Sequence, residues 1–314
     1  MDANNLKAIC IMGPTGAGKT ALAQALYRQG GFELISVDSA QVYRQMSVGT
    51  AKPTAEELAQ VPHHLIDIRE PWETYSAAEF SRDASRLMSA IRGRGGIPVL
   101  VGGTLLYFRA LLEGLSELPE ASVQIRAQIS QEGANVGWPQ MHAHLASIDP
   151  LAAERIHPND PQRIQRALEV YRATGKPISA LQKNRQGAAS GAFLKLAVSP
   201  ADRRLLHEKI NQRFLQMLEV GLLEEVRGLM DLPQFSADMP SMRAVGYRQA
   251  IEHLNGDYDL KEFTLRGQAA SRQLAKRQLT GLRHLDGVQW LDPAESGWES
   301  GGIDRIARFL HKPL

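Results

Sequence analysis

The 314-residue chain has a single cysteine, Cys10. Disulfides within the chain and cysteine-rich zinc sites are thereby excluded, and a cytoplasmic setting is the expectation. No apolar run approaches the ~20 residues that a membrane-spanning helix needs, so no membrane partner is expected. Met1-Asp2-Ala3-Asn4-Asn5 carries no basic stretch ahead of an apolar one, so no signal peptide is expected either. An excess of one charge is also missing: 36 Lys and Arg stand against 34 Asp and Glu, and only the placement of the basic residues is informative. Internal repeats and low-complexity tracts are absent. With 43% hydrophobic and 22% charged residues, this is an ordinary globular composition with enough chain for one large core or two domains.

What the chain has in full is a phosphate loop. Lys7–Met12 is a short apolar run that reads as a buried strand. Behind it, Gly13-Pro14-Thr15-Gly16-Ala17-Gly18-Lys19-Thr20 fits G-x-x-x-x-G-K-[ST]. Ala21 to Leu26 then begins a helix. Glycines let the backbone curl until several N–H groups point at one anion. The helix N-terminus adds partial positive charge, Lys19 adds a full one, and the Thr20 hydroxyl can hold a magnesium ion. The loop does not say which phosphate it grips.

Further strands are read at Phe32–Val37, His63–Ile68, Ile97–Val101, Phe193–Val198 and Val288–Leu291. Between them lie helical patterns. Ser76 with Glu79 makes a capping box, followed by Phe80, Ala84, Leu87, Met88 and Ile91 at helical spacing. Ser199, Pro200 and Asp202 start a long helix whose apolar stripe runs from Leu206 to Leu222. Another helix spans about Leu260 to Leu285. Strands alternating with helices predict an α/β fold, a P-loop-type parallel sheet flanked by helices. Gly13, Asp38 and Thr104 follow strand ends and should share one crevice. From Glu120 to about Ala192 no strand is evident, which predicts an all-helical insertion: residues 1–118 and 194–314 form the core, 119–193 the insertion.

Two stretches are locally basic. Arg163, Arg166, Arg172, Lys176, Lys183 and Arg185 face one acid, Glu169, and Arg272, Lys276, Arg277 and Arg283 face none. Such helices suit a long anionic partner such as nucleic acid, or are simply solvated faces. Gln162, Gln165, Gln273 and Gln278 add groups able to hydrogen-bond bases or phosphate. A kinase or ATPase would be the ordinary owner of the loop, but it needs an acid ending a second buried strand, and Val99-Leu100-Val101-Gly102-Gly103 has none. Asp38 can be a metal ligand, a general base or a helix cap. The pairs His63/His64 and His142/His144 lack companions at ligand spacing and read as packing or surface residues.

Seven motifs in order then resemble the bacterial tRNA dimethylallyltransferases, or tRNA isopentenyltransferases. They are the loop from Gly13, Asp-Ser-Ala-Gln-Val-Tyr from Asp38, Val-Gly-Thr-Ala-Lys-Pro from Val48, Gly-Gly-Thr-Leu-Leu-Tyr-Phe from Gly102, Arg-Ile-His-Pro-Asn-Asp from Arg155, Val-Gly-Tyr-Arg-Gln from Val245 and Ala-Lys-Arg-Gln-Leu-Thr from Ala275. Where the family commonly has an aromatic residue, this chain has Gly281.

The resemblance implies transfer of the dimethylallyl group of dimethylallyl diphosphate to N6 of adenosine 37, next to the tRNA anticodon, with Mg2+ as cofactor and no membrane. It implies that Gly13, Pro14, Thr15, Gly16, Ala17, Gly18, Lys19 and Thr20 hold the diphosphate, with Thr20 on the metal. Arg213 resembles a diphosphate-gripping arginine, or is a helix-surface charge. Asp38 is the candidate base and Thr104 lies between adenosine and donor, or caps the next helix. The RNA path is expected along Asp38, Ser39, Ala40 and Gln41, with Thr104 and Arg126; along Gln162, Arg163, Ile164, Gln165 and Arg166; along Arg243, Ala244, Val245, Gly246, Tyr247 and Arg248; and along Lys276, Arg277, Gln278, Leu279, Thr280, Gly281, Leu282 and Arg283. Tyr43, Tyr107 and Tyr247 are stacking candidates, or core. The insertion is the expected tRNA-binding element of a monomer acting on the anticodon stem-loop. The alternatives are a P-loop small-molecule or nucleotide kinase, and a nucleic-acid-binding module that only senses nucleotide.

Overall fold

A computed structural model describes residues 6–116, 118–119, 122–182 and 185–311. Met1–Asn5, Glu120 and Lys183, which the sequence reading uses, lie outside the described residues. The chain forms two compact units, Met1–Leu111 with Ser190–Leu314, and Leu112–Ala189.

The larger unit opens with β1 (Lys7–Met12), α1 (Lys19–Arg28), β2 (Phe32–Val37), α2 (Ala55–Gln60), β3 (His63–His64), α3 (Ala77–Gly93), β4 (Ile97–Gly102) and α4 (Leu105–Glu113). The smaller unit holds β5 (Leu115–Ser116), α5 (Val123–Val136), α6 (Trp138–Ile148), α7 (Pro150–Arg155), α8 (Pro161–Thr174), α9 (Ile178–Leu181) and β6 (Arg185–Gln186). The chain then returns through β7 (Ala192–Val198), α10 (Arg203–Glu219), α11 (Leu222–Met230), α12 (Tyr247–Leu254), α13 (Leu260–Arg283), β8 (Val288–Leu291) and α14 (Trp298–His311).

Six strands form one parallel sheet in the order β3-β2-β4-β1-β7-β8. The central strands are continuous apolar runs because both faces are covered. Ile9, Ile11, Leu34, Val99 and Leu196 are buried against Leu22, Leu26 and Ile306 from α1 and α14. Register then positions the site. Met12 pairs with Gly102, and Gly102 with Val37. Adjacent strands lie ~4.8 Å apart, so the phosphate loop after β1, the turn after β4 and Asp38 after β2 emerge side by side within about 10 Å.

Local signals hold where both partners are close in sequence. Ser76 Oγ accepts from Glu79 N–H at 3.1 Å and Glu79 Oε2 from Ser76 N–H at 2.8 Å. Elsewhere the structure corrects the reading. The long helix starts later, capped by Asp202, whose Oδ1 accepts from Arg204 N–H at 2.8 Å. It also stops at Glu219, because Gly221 adopts φ 105°, and Leu222 belongs to the next helix. His63–His64 pairs with β2, but the chain leaves the sheet at Leu65, which has φ 64°. The smaller unit is not wholly helical: Leu115–Ser116 pairs antiparallel with Arg185–Gln186. Two residues a side carry no period-2 signal. Its helices pack around Ile129, Met141, Leu145, Ile164 and Leu168.

Candidate active site

The three strand ends open into a crevice of ≈ 390 Å³ in the larger unit. Thr15, Lys19 and Thr20 line it from the phosphate loop, Asp38 and Gln41 from the corner after β2, Arg213 and Gln278 from α10 and α13, and Val245 from the turn before α12. Gly18 caps α1 with φ 94°, a left-handed conformation that side chains disfavour. At the tip, Ala17 is buried against Leu206, Ile210, Ala275 and Leu279. The loop is therefore clamped on α10 and α13, and Ala17 can offer a ligand only its backbone.

Two cations stand in the crevice without a carboxylate on either. Lys19 Nζ donates to the Pro14 carbonyl at 2.8 Å. Arg213 makes no hydrogen bond or ion pair among the described residues. Desolvation, and then the Arg213 charge, push Lys19 down to about 8 from 10.5, and Asp38 opposes the shift. Desolvation lowers Arg213 as well, again against Asp38. Two half-buried positive charges opposed by the single charge of Asp38 leave an excess that describes an anion site.

Asp38 is both cap and candidate base. Its Oδ1 accepts from Ala40 N–H at 2.8 Å and Gln41 N–H at 3.2 Å. Its Oδ2 accepts no hydrogen bond among the described residues. Thr104 precedes α4, and its carbonyl accepts from Tyr107 and Phe108 N–H. Its hydroxyl instead accepts from Ser39 N–H at 3.0 Å, joining the ends of β4 and β2.

The second wall is held from afar by a residue that sequence reasoning missed. Glu225, on α11, accepts from Ser47 and Val48 N–H at 2.7 Å, Gly49 N–H at 3.1 Å and the Tyr247 hydroxyl at 2.6 Å. It thereby fixes the Val48–Pro53 motif, whose Thr50 and Ala51 carbonyls each accept from Gln41 Nε2 at 3.3 Å. Phe214 and Met217, two members of the Leu206–Leu222 stripe, supply an apolar patch together with Leu274, which the sequence does not single out.

Several residues expected on RNA are instead core or already engaged. Ile164, Tyr247, Leu279 and Leu282 are buried. Tyr43 and Tyr107 are buried too, Tyr107 stacked on Phe80 at 4.5 Å. At Gly281 a Cβ would lie 2.3 Å from Leu105 Cδ1, so a larger residue there requires the Leu105 side chain to turn aside. Gln278 is committed inside the fold: Oε1 accepts from Thr15 N–H at 3.1 Å and Nε2 donates to the Gly103 carbonyl at 3.0 Å. Within the smaller unit, buried Glu169 takes Arg126 at 2.7 Å and Arg166 at 3.5 Å. Gln165 Nε2 donates to Ser130 Oγ at 2.6 Å, and Arg172 pairs with Glu132. The exposed members of the set are Gln162 and Arg163 there, with Arg163 paired to Asp160 at 3.4 Å, and Ser39, Arg243, Arg248, Lys276, Arg277, Thr280 and Arg283 in the larger unit, with Arg248 paired to Glu252 at 3.0 Å. His63 and His142 bond to backbone carbonyls and His64 to Glu33.

Comparison with known proteins covers the whole site. A family model described as IPP transferase matches residues 41–285, and one for the AAA ATPase family matches 9–66, the phosphate-loop end. The chain is 55% identical over 293 residues to a tRNA dimethylallyltransferase of Stenotrophomonas maltophilia, 91% of this chain and 92% of the relative. It is 55% identical over 306 residues to one of Chromobacterium violaceum, 97% and 94% of the two chains. Among solved structures, the tRNA isopentenylpyrophosphate transferase of Bacillus halodurans is similar with TM-score 0.71 and 37% identity, covering 98% and 97%. A eukaryotic dimethylallyltransferase captured acting on tRNA is similar with TM-score 0.79 and 26% identity, covering 98% of this chain and 80% of that one.

Proposed function

The chain belongs to the IPP transferase family, and we propose that its crevice carries out that chemistry: transfer of a dimethylallyl group from dimethylallyl diphosphate to N6 of adenosine 37 in tRNA. The observation that carries the reading is the pair of partly desolvated cations, Lys19 and Arg213, lining one crevice with no carboxylate in direct ion-pair contact and only Asp38 opposing them, beside an apolar patch of Phe214, Met217 and Leu274. A diphosphate supplies the missing counter-charge, and a short hydrocarbon tail suits the patch. A kinase is not favoured, because β4 ends in Gly102-Gly103 without an acid.

The chain's own residues account for the steps. The allylic C1–O bond breaks as the N6–C1 bond forms, so charge builds on the departing diphosphate. Lys19, Arg213 and the loop N–H groups not already bonded within the fold stabilise it. The N6 lone pair is delocalised into the purine, so the nucleophile needs help. Asp38 is held at Oδ1 by two backbone N–H groups, which leaves Oδ2 to take the N6 proton. Thr104, bonded to Ser39, keeps the acceptor side of the crevice at a fixed distance from Asp38.

Magnesium fits this donor set. Exposed Thr20 lies on the crevice at the start of α1, and the Ser or Thr at this position of a phosphate loop is the residue that holds Mg2+ against bound phosphates. When bound it neutralises diphosphate charge. The tRNA is met by the exposed set: Arg163 and Gln162 on the smaller unit, taken as the tRNA-binding insertion, and Arg243, Arg248, Lys276, Arg277 and Arg283 on the larger. Adenosine 37 leaves the loop's stack to reach the crevice. We take the enzyme to work as a monomer, and in the cytoplasm, in line with its single buried cysteine.

The test mixes protein, Mg2+, labelled dimethylallyl diphosphate and an anticodon stem-loop with adenosine at the target position. Label in RNA with release of diphosphate is expected. Steady γ-phosphate release from ATP with unlabelled RNA would overturn the reading.

A further inference from the structure

Gln278 sits on α13, in a motif that sequence alone assigns to RNA, yet both ends of its amide are used within the fold. Thr15 N–H can only donate, so it faces Oε1 at 3.1 Å. The Gly103 carbonyl can only accept, so it faces Nε2 at 3.0 Å. One side chain thus joins the phosphate loop to the turn that carries Thr104. Gly103 is matched to this placement: a Cβ at 103 would lie 2.4 Å from Nε2 and 3.0 Å from the Gly13 carbonyl oxygen, so the amide as placed needs glycine there.

We propose that Gln278 is a positioning residue for prenyl transfer, setting the distance between the diphosphate cradle and the acceptor side of the crevice. This rests on the prenyl-transfer reading above. Thr15 stands on the donor side and Thr104, through Ser39, on the side of Asp38. Donor and acceptor can each bind their own half with the tie cut. What the tie adds is alignment of C1 with N6, and misplacement of about 1 Å can cost ~100-fold in rate.

Two variants separate this role from RNA reading and from plain stabilisation. Gln278→Leu removes both hydrogen bonds. Gln278→Glu, when protonated, reproduces the amide's pattern, one oxygen accepting and one O–H donating; when ionised it sets a carboxylate oxygen against the Gly103 carbonyl. Single-turnover transfer is measured at saturating donor and stem-loop between about pH 8 and pH 5.5, with binding of each substrate and the melting temperature measured alongside. Gln278→Leu is expected to lose about 10- to 100-fold in rate at every pH, with both dissociation constants within about twofold. The rate of Gln278→Glu relative to wild type should climb as pH falls, because protonation restores the donor to Gly103. A wild-type rate in Gln278→Leu, a loss explained by weaker stem-loop binding, or a Gln278→Glu ratio flat in pH would each overturn the proposal. Wild-type protein that transfers no label at all would instead bring down the prenyl-transfer reading, and this one with it.

Discussion

Raising the pH should loosen the crevice's hold on its diphosphate, and Lys19 sets where. Desolvation brings this ammonium down to about 8 from its ordinary 10.5 in the ligand-free crevice. A bound diphosphate supplies the counter-charge and moves it back up. The charged form is the one the ligand wants, so the affinity is fully present below about pH 8 and is lost as pH rises above it. Each further pH unit costs about tenfold, ~1.4 kcal/mol, until the pKa of the complex is reached. Binding at about pH 9 should therefore be roughly tenfold weaker than at about pH 7. Calorimetry of dimethylallyl diphosphate in two buffers of different ionisation enthalpy reads both the affinity and the proton uptake. Nearly one proton should be taken up per ligand at about pH 9, and about half of one at about pH 8. Lys19→Arg keeps its charge throughout and subtracts the ligand's own ionisation. Affinity that is flat across this range, or an equal slope in Lys19→Arg, would refute the assignment of Lys19 as the buried counter-ion.

Three further outcomes are expected. Arg163→Ala and Lys276→Ala should weaken stem-loop binding and each reduce the slope of log affinity against log salt by about one; an unchanged slope returns them to solvated faces. Tyr247→Phe removes a hydrogen bond to a carboxylate from the Glu225 cluster, at a cost of about 1.5–3 kcal/mol, and should lower the melting temperature by ~2–4 °C per kcal/mol; an unchanged melting temperature would show that Glu225 is satisfied without it. Arg213→Ala should weaken donor binding while leaving stem-loop affinity within about twofold, and equal donor affinity would place Arg213 outside the diphosphate site.

The fold was legible where pattern is local. Continuous apolar runs at β1, β2, β4 and β7 could only be strands covered on both faces, and the Ser76/Glu79 capping box and the Leu260 helix lie where spacing puts them. The phosphate loop and Asp38 were legible for the same reason: each follows directly on a strand. What escaped depends on partners far along the chain. Glu225 reaches back 178 residues to Ser47, and no periodicity marks such a carboxylate. Arg126 looks available until Glu169, 43 residues on, is found beneath it. Gln278 reads as a base-contacting amide until Thr15 and Gly103 are seen at its two ends. The helix Trp298–His311 was missed because Gly301 and Gly302 interrupt its pattern, although Gly302 is what lets it lie against Leu22.

The proposed mechanism gives Asp38 the N6 proton, and one substitution tests that role. Asn in place of Asp keeps an oxygen for the Ala40 and Gln41 N–H groups and removes the negative charge and with it the capacity to take a proton, while the affinity for donor reads the lost charge beside Lys19 and Arg213. Labelled prenyl transfer is followed in a single turnover, with Asp38→Asn saturated in both donor and stem-loop. Near-normal dissociation constants for both, with the transfer rate down by about 100- to 10,000-fold, is the outcome that general-base catalysis demands. Transfer at the wild-type rate in that fully loaded complex would contradict it.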